Sequence, residues 1–218
     1  KTPLTLIKAP LEKLLMVKYP NPDVNKNLKL INKNSDRLLT LSNQLLDFRK
    51  AESEGFRVTF NEINISKLVK DVFRNFQLLK KDNIELSLNL PQEPVFAETD
   101  EEAFRKIITN LLDNSLKYCD TFVKVDILKD TENNAGVIRI LIANDGRTIP
   151  PNLQEKIFEP FYRVKNEIYR QGTGLGLALA RSLSQMLYGT LILKFSENDL
   201  TTFQLTIPRK HSKDIKPA

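Results

Sequence analysis

The chain has 218 residues, 41% of them hydrophobic, with one cysteine, one histidine and a formal net charge of +6. A core can be buried, no apolar run approaches the roughly 18 residues of a membrane span, and no signal-peptide pattern is present. A lone thiol (Cys119) and a lone histidine (His211) exclude an internal disulfide and Cys/His metal sites, leaving room only for an oxygen-ligated magnesium; the scattered lysines form no aromatic-interleaved basic stripe, which excludes direct nucleic-acid binding by this segment.

Residues 1–54 read as helical. A first helix is expected from about Leu4 to Lys18, with Pro3 near its start and Pro10 bending it from inside. Tyr19-Pro20-Asn21-Pro22-Asp23 is a turn, with Asp23 the expected N-cap of the next helix. Val24, Leu28, Ile31, Leu38 and Leu45 then keep a seam at steps of three, four and seven, widened by Leu39, Leu41, Leu46 and Phe48. A helix from about Val24 to Glu54 spans roughly 45 Å at 1.5 Å per residue. So broad a stripe suits a bundle. Two helices bury too little alone, so the expectation is a four-helix bundle made by dimerisation of the hairpin.

Residues 55–209 mix strands and helices, Gly55 ending the long helix. Val58–Phe60 and Ile84–Leu88 alternate as strands. Ser66–Lys81 and Asp100–Tyr118 read as helices, Phe122–Leu128 and Val137–Ala143 as strands, and Thr173–Tyr188 as a helix. Leu191–Phe195 and Thr202–Ile207 close as a hairpin. The fold class is therefore α+β: a helical hairpin, then a two-layer α/β sandwich with an antiparallel-leaning sheet. Residues 210–218 are a polar, basic tail or linker in which His211 is a solvated bystander.

Three clusters carry candidate chemistry. Asn110, Asn114, Lys117 and Tyr118 fall close to one helical face, and two amides, an ammonium and a phenol there suit magnesium and a polyphosphate. Asn144-Asp145-Gly146-Arg147-Thr148-Ile149 follows a strand, where a carboxylate or amide can accept hydrogen bonds from a purine amino group. Gly172-Thr173-Gly174-Leu175-Gly176-Leu177 opens a helix; glycines admit phosphate to the backbone and the helix amides stabilise its charge. The last glycine comes one position early for a dinucleotide fingerprint, and no Gly-Lys-Ser/Thr follows as in a Walker loop. Taken singly, each cluster has a plainer explanation: a polar helix face, an ordinary Asn-Asp-Gly turn, a glycine-rich loop.

In this order and spacing the three clusters resemble the nucleotide-binding motifs of the ATPase/kinase superfamily of histidine kinases, Hsp90 chaperones, MutL and gyrase. Ile157-Phe158-Glu159-Pro160-Phe161-Tyr162-Arg163 is similar to the phenylalanine box of sensor histidine kinases, and its place before the last glycine cluster separates kinases from the chaperone and gyrase branches. Lys1-Thr2-Pro3-Leu4-Thr5-Leu6-Ile7 resembles the downstream half of the histidine box, His-Glu-x-(Lys/Arg)-Thr-Pro-Leu-Thr. The phosphoacceptor would lie three residues before Lys1, so the segment is expected to bind Mg-ATP without phosphorylating itself. Thr-Pro-Leu-Thr-Leu-Ile, Pro-Leu-Glu-Lys-Leu and Asn-Asp-Gly also look like hybrid sensors of Bacteroides-type bacteria, which carry a receiver and a DNA-binding region on the same chain.

The resemblance implies roles. Asn114 would be the main magnesium ligand, supported by Asn110. Lys117 would contact phosphate, Tyr118 would pack near ribose or adenine, and Arg163 would approach the terminal phosphate. Gly172, Thr173, Gly174, Leu175 and Gly176 would fold over the triphosphate, Leu175 and Leu177 by packing, with residues 164–171 as a lid. Phe158 and Phe161 are expected to pack in the core. Thr2 would help position water for dephosphorylating a receiver, or simply cap its helix. The γ-phosphoryl group would pass to a histidine and on to a receiver aspartate, in a homodimer whose parent is anchored in a bacterial inner membrane. One departure stands out: the usual Asp-Asn-Gly-x-Gly-Ile is Asn144-Asp145-Gly146-Arg147-Thr148-Ile149 here. Either Asn144 or Asp145 would read adenine, and Thr148 would stiffen the loop. The altered cluster leaves two alternatives open, a nucleotide-free docking scaffold and a non-kinase ATPase of the same superfamily.

Overall fold

The structure is a computed structural model and describes residues 2–17, 19–52, 58–80, 83–128, 136–164 and 172–210. Contacts divide the chain into two compact units, Lys1–Arg49 and Lys50–Ala218. The predicted domain junction at residues 54–55 and the tail beyond Lys210 lie outside the described residues.

The first unit holds α1 (Thr2–Leu15), with Pro10 inside it, and most of α2 (Pro22–Glu52). The cap of α2 differs from expectation. Asn21 Oδ1 accepts the Asp23 N–H at 2.9 Å, so Asn21 caps, Pro22 takes the first helical position and Asp23 lies in the first turn. That order uses proline's missing N–H where it costs nothing and sets the carboxylate against the helix dipole. Lys8 ties α1 to α2 through Asp36 at 2.7 Å. Leu11 is buried, yet the seam residues Val24, Ile31, Leu38 and Leu45 remain exposed on the single chain, together with Leu6, Ile7 and Leu14.

In the second unit a five-stranded sheet runs β2 (Glu85–Asn89), β4 (Phe122–Ile127), β5 (Val137–Asp145), β7 (Leu200–Pro208), β6 (Thr190–Glu197). Only β2 and β4 are parallel; the other pairs are antiparallel. Strict alternation of burial along β5 turns Ile138, Ile140 and Ile142 to one face. The helices α3 (Ile65–Leu79), α4 (Glu101–Tyr118) and α5 (Gly176–Met186) cover that face, α4 against β4 and β5, α5 against β6 and β7. Ala103, Phe104, Ile107, Ile108, Leu111, Leu112 and Ser115 form the buried stripe of α4, each large apolar one contributing about 1.5–3 kcal/mol.

Two local predictions are corrected. Val58–Phe60 is not a strand; β1 is Asn61–Asn64, paired antiparallel with β3 (Phe96–Thr99), which the sequence pattern does not reveal. This small ladder carries few apolar residues because its order comes from backbone bonds and from Asn64, whose side chain accepts the Lys67 N–H and caps α3. Likewise α5 begins at Gly176 rather than Thr173, since Gly174 turns the chain at φ +74°.

Candidate functional site

Asn110, Asn114 and Lys117 run down α4 beside its buried stripe, all half-buried. Asn110 is oriented: its Nδ2 donates to the Lys106 carbonyl at 2.8 Å, which turns Oδ1 outward. That oxygen lies 3.0 Å from where a side chain on Gly176 would begin. Seven residues further along α4, the Lys117 ammonium occupies the space a side chain on Gly172 would take. It also donates to the Tyr118 hydroxyl at 2.8 Å and sits 4.5 Å from the Tyr118 ring centre. Asn114 lies between these two contacts on the same face. Two clusters more than 50 residues apart in the chain thus meet, and glycine is what lets them approach.

The glycine segment is held from the other side by the phenylalanine-rich turn. Phe161 N–H donates to the Gly174 carbonyl at 2.9 Å, and a Cβ on Gly174 would lie 2.7–2.9 Å from the Phe161 and Tyr162 backbone. Phe158 is core, edge-on to Phe203 at 6.2 Å. Phe161 is not: it is 60% exposed at φ 64°, because the carbonyl of Gly174 dictates its backbone, overriding the expected packing. Arg163 is half-buried just beyond Tyr162, and residues 165–171 of the expected lid lie outside the described residues. Whereas α3 and α4 are capped by Asn64 and Asp100, α5 has fully buried Leu175 at its N-cap and no side-chain cap bond. Its first amides therefore have no side-chain cap where the helix follows the glycine turn, the arrangement that attracts an anion. Thr173 Oγ1 accepts the Leu175 N–H at 3.2 Å and steadies that turn.

Asn144 and Asp145 end β5 instead of following it. Asn144 is 3% exposed and its Nδ2 donates to the Asp145 carbonyl at 2.8 Å. The Asp145 carboxylate accepts the N–H groups of Asp120 (3.1 Å), Thr121 (2.8 Å) and Phe122 (2.9 Å) and the Thr121 hydroxyl (2.5 Å). Burial alone would raise its pKa, but the bonds from Phe122, Thr121 and Asp120 outweigh burial and hold it below the ordinary 3.8. A carboxyl depressed on folding stabilises fully above its unfolded pKa, and the contribution is lost as pH falls through the folded one. In thermal melts of the chain and of Asp145→Asn, the gap in midpoint should stay constant down to about pH 5 and close below about pH 4.

The loop after β5 is fastened to the β6–β7 hairpin. Gly146 N–H donates to the Asp199 carbonyl (2.9 Å), Asp199 N–H to Thr148 Oγ1 (3.2 Å), and Ile149 N–H to Ser196 Oγ (2.8 Å), itself bonded to buried Thr201. Asn198 and Asp199 form the hairpin turn at φ 50° and 57°, the two-residue geometry that matches strand twist. Thr148, where the related motif has glycine, thus acts as a tether. Sequence reasoning missed Thr121, Ser196 and Asp199; the Asn-Asp pair between two β-rich runs was the available signal for the last. Thr2 opens α1.

A layered domain of this topology, with helix-borne amides meeting a glycine turn, defines an ATPase class. Residues 99–211 match the family described as histidine kinase-, DNA gyrase B-, and HSP90-like ATPases, and the chain belongs to it. Its relatives there are sensor histidine kinases. It is 29% identical over 217 residues to sensor histidine kinase WalK of Bacillus subtilis, covering 98% of this chain and 36% of that protein. It is 30% identical over 220 residues to hybrid signal transduction histidine kinase D of Dictyostelium discoideum, covering 98% and 14%. Among solved structures, the nucleotide-free catalytic domain of histidine kinase ThkA superposes with TM-score 0.61 at 25% identity, over 70% of this chain and 97% of that one. The chain therefore spans about a third or less of these curated relatives.

Proposed function

We propose that the chain is the ATP-binding catalytic core of a sensor histidine kinase, with residues 1–54 as dimerisation and phosphotransfer hairpin, 55–209 as catalytic domain and 210–218 as tail. The observation that carries this is the approach of Asn110 Oδ1 to Gly176 and of Lys117 Nζ to Gly172, beside an uncapped helix start.

Magnesium fits the residues present. The support is Asn110, whose Nδ2 is held by the Lys106 carbonyl so that its Oδ1 turns outward; the protein ligands would be amide oxygens, Asn114 with Asn110, and the rest of the shell phosphate and water. Bound there, the metal would neutralise charge on the phosphates. Lys117 holds the phosphate chain, the α5 amides take the anion, and Arg163 approaches the terminal phosphate. A histidine nitrogen attacks the γ-phosphorus, the bond to the β-phosphate oxygen breaks, and ADP leaves; positioning does most of the work. For the base, the support favours Asn144 over Asp145. The Asp145 carboxylate is filled by its own backbone partners, while the Asn144 NH₂ is committed to a carbonyl and its Oδ1 is left as the acceptor an adenine amino group requires. The scaffold and non-kinase alternatives are not favoured, since the relatives over nearly the whole chain are kinases.

Saturable Mg-ATP binding below millimolar concentration, by calorimetry, and labelled phosphate passing from ATP to a histidine-bearing hairpin of this protein supplied in trans are the expected results. No binding at millimolar ATP overturns the nucleotide assignment. The hairpin also accounts for the partners: a second copy along the exposed seam, and a receiver domain taking phosphate from the histidine near Thr2. The parent protein is then an inner-membrane sensor whose signalling segment this is. Leu38→Glu, which sets a charge in that seam, is expected to turn a dimer into a monomer in sedimentation equilibrium while helicity stays within about a tenth of the original.

A further inference from the structure

We infer that Asp145 is a positioning residue for the nucleotide site, acting through the C-terminal turn of α4 and not on the ligand; this rests on the nucleotide assignment above. Lys117 and Tyr118 are the last two residues of α4, and β4 begins at Phe122. The link between them is residues 119–121, with Cys119 N–H closing the helix on the Ser115 carbonyl at 2.8 Å. What fixes the rotation of this last turn against the sheet is Asp145. Its two oxygens take the Asp120, Thr121 and Phe122 N–H groups and the Thr121 hydroxyl. The next residue, Gly146, runs so close to α4 that a Cβ added to it would collide with the Tyr118 carbonyl. The strand end thus grips α4 on both sides, the carboxylate on the departing chain and the glycine on the helix end.

The same residue offers its main-chain carbonyl to the Asn144 amide at 2.8 Å. Lys117, assigned to phosphate, Tyr118, assigned to ribose or adenine, and Asn144, assigned to the base, are therefore all referenced to one side chain and its backbone. An aspartate suits this better than an amide. An ionised carboxylate only accepts, and every group around it donates; an asparagine would turn an NH₂ toward N–H groups. The neighbouring Asn144 carries the complementary requirement, one donor for the Asp145 carbonyl and one acceptor left over. The order Asn-Asp, inverted relative to the related motif, gives each position the chemistry its surroundings need.

Loss of the grip lets Lys117 drift from Gly172, and misplacement by about 1 Å is enough to weaken a positioned contact strongly. The test is Mg-ATP calorimetry at low temperature on the chain, Asp145→Ala, Asp145→Asn and Asn64→Ala. Asp145→Ala should raise Kd roughly tenfold and Asp145→Asn about threefold, in keeping with lost charge-assisted bonds. Asn64→Ala removes the α3 cap elsewhere in the domain; it should lower the melting midpoint and leave Kd unchanged. A folded Asp145→Ala with the original Kd, or equal weakening by Asn64→Ala, overturns the proposal. If the unsubstituted chain does not bind Mg-ATP, the nucleotide assignment fails, and the positioning role is read from amide hydrogen exchange over Leu116–Phe122. That exchange should quicken roughly tenfold in Asp145→Ala alone; unchanged exchange there overturns the positioning role.

Discussion

Asn114→Ala is expected to raise the Mg-ATP dissociation constant on the order of a hundredfold, the scale of losing a metal ligand, without destabilising the fold. Asn114 sits mid-helix and half-buried, between the Asn110–Gly176 and Lys117–Gly172 contacts. Asparagine is a poor residue there, since its side chain competes with the helix backbone, and alanine is better by roughly half a kcal/mol. The thermal midpoint should therefore hold or rise by about 1–2 °C while binding is lost. A residue kept only as polar surface would show no effect on the ligand. Calorimetry and a melt on the same preparation decide it, and a Kd within threefold of the original would remove Asn114 from the site.

Gly146→Ala should have the largest effect on stability, about 2–4 kcal/mol, or roughly 5–15 °C in melting midpoint for a domain of this size. Two costs combine. Gly146 has φ +130°, and an added Cβ would collide with the Tyr118 carbonyl, a backbone atom that cannot rotate aside. Gly136 isolates the first cost, since it too has a positive φ (+101°) but nothing within 4 Å of the point where its side chain would begin. Gly136→Ala should cost only about 1 kcal/mol. Equal melting midpoints for the two variants would mean that β5 does not approach α4 so closely. Beyond stability, Gly146→Ala pushes the end of α4 from the strand and should weaken Mg-ATP as well.

The layered fold was legible where burial imposes a period. The stripe of α4, the alternation of β5 and the pairing of the last two strands all follow from apolar residues at fixed steps. It was not legible where order comes from backbone partners. Asn61-Glu62-Ile63-Asn64 has no strand pattern, yet it pairs along its length with Phe96–Thr99. The residue pattern starts α5 three residues early because nothing in the composition of Gly172–Leu175 reveals which glycine takes a positive φ. For the site, residue types and spacing revealed α4 and the glycine turn, since 3.6-residue periodicity alone puts Asn110, Asn114 and Lys117 together. The roles of Asn144 and Asp145 stayed open because both side chains can accept a hydrogen bond. The N–H groups that occupy the Asp145 carboxylate belong to residues 120–122, over twenty positions upstream, where no local pattern points to them.

The fastening of the Gly146–Ile149 loop to Ser196 and Asp199 has a consequence for synthesis. A nascent chain that has left the ribosome as far as residue 190 already contains all three clusters, yet β5 has one bare edge and its loop has no anchor. The nucleotide site proposed for those clusters would then form only once the last hairpin emerges and folds back across the middle strand. Truncation just before the Asn198-Asp199 bend would leave every signature residue in place and the Gly146–Ile149 loop without the Asp199 bonds that hold it.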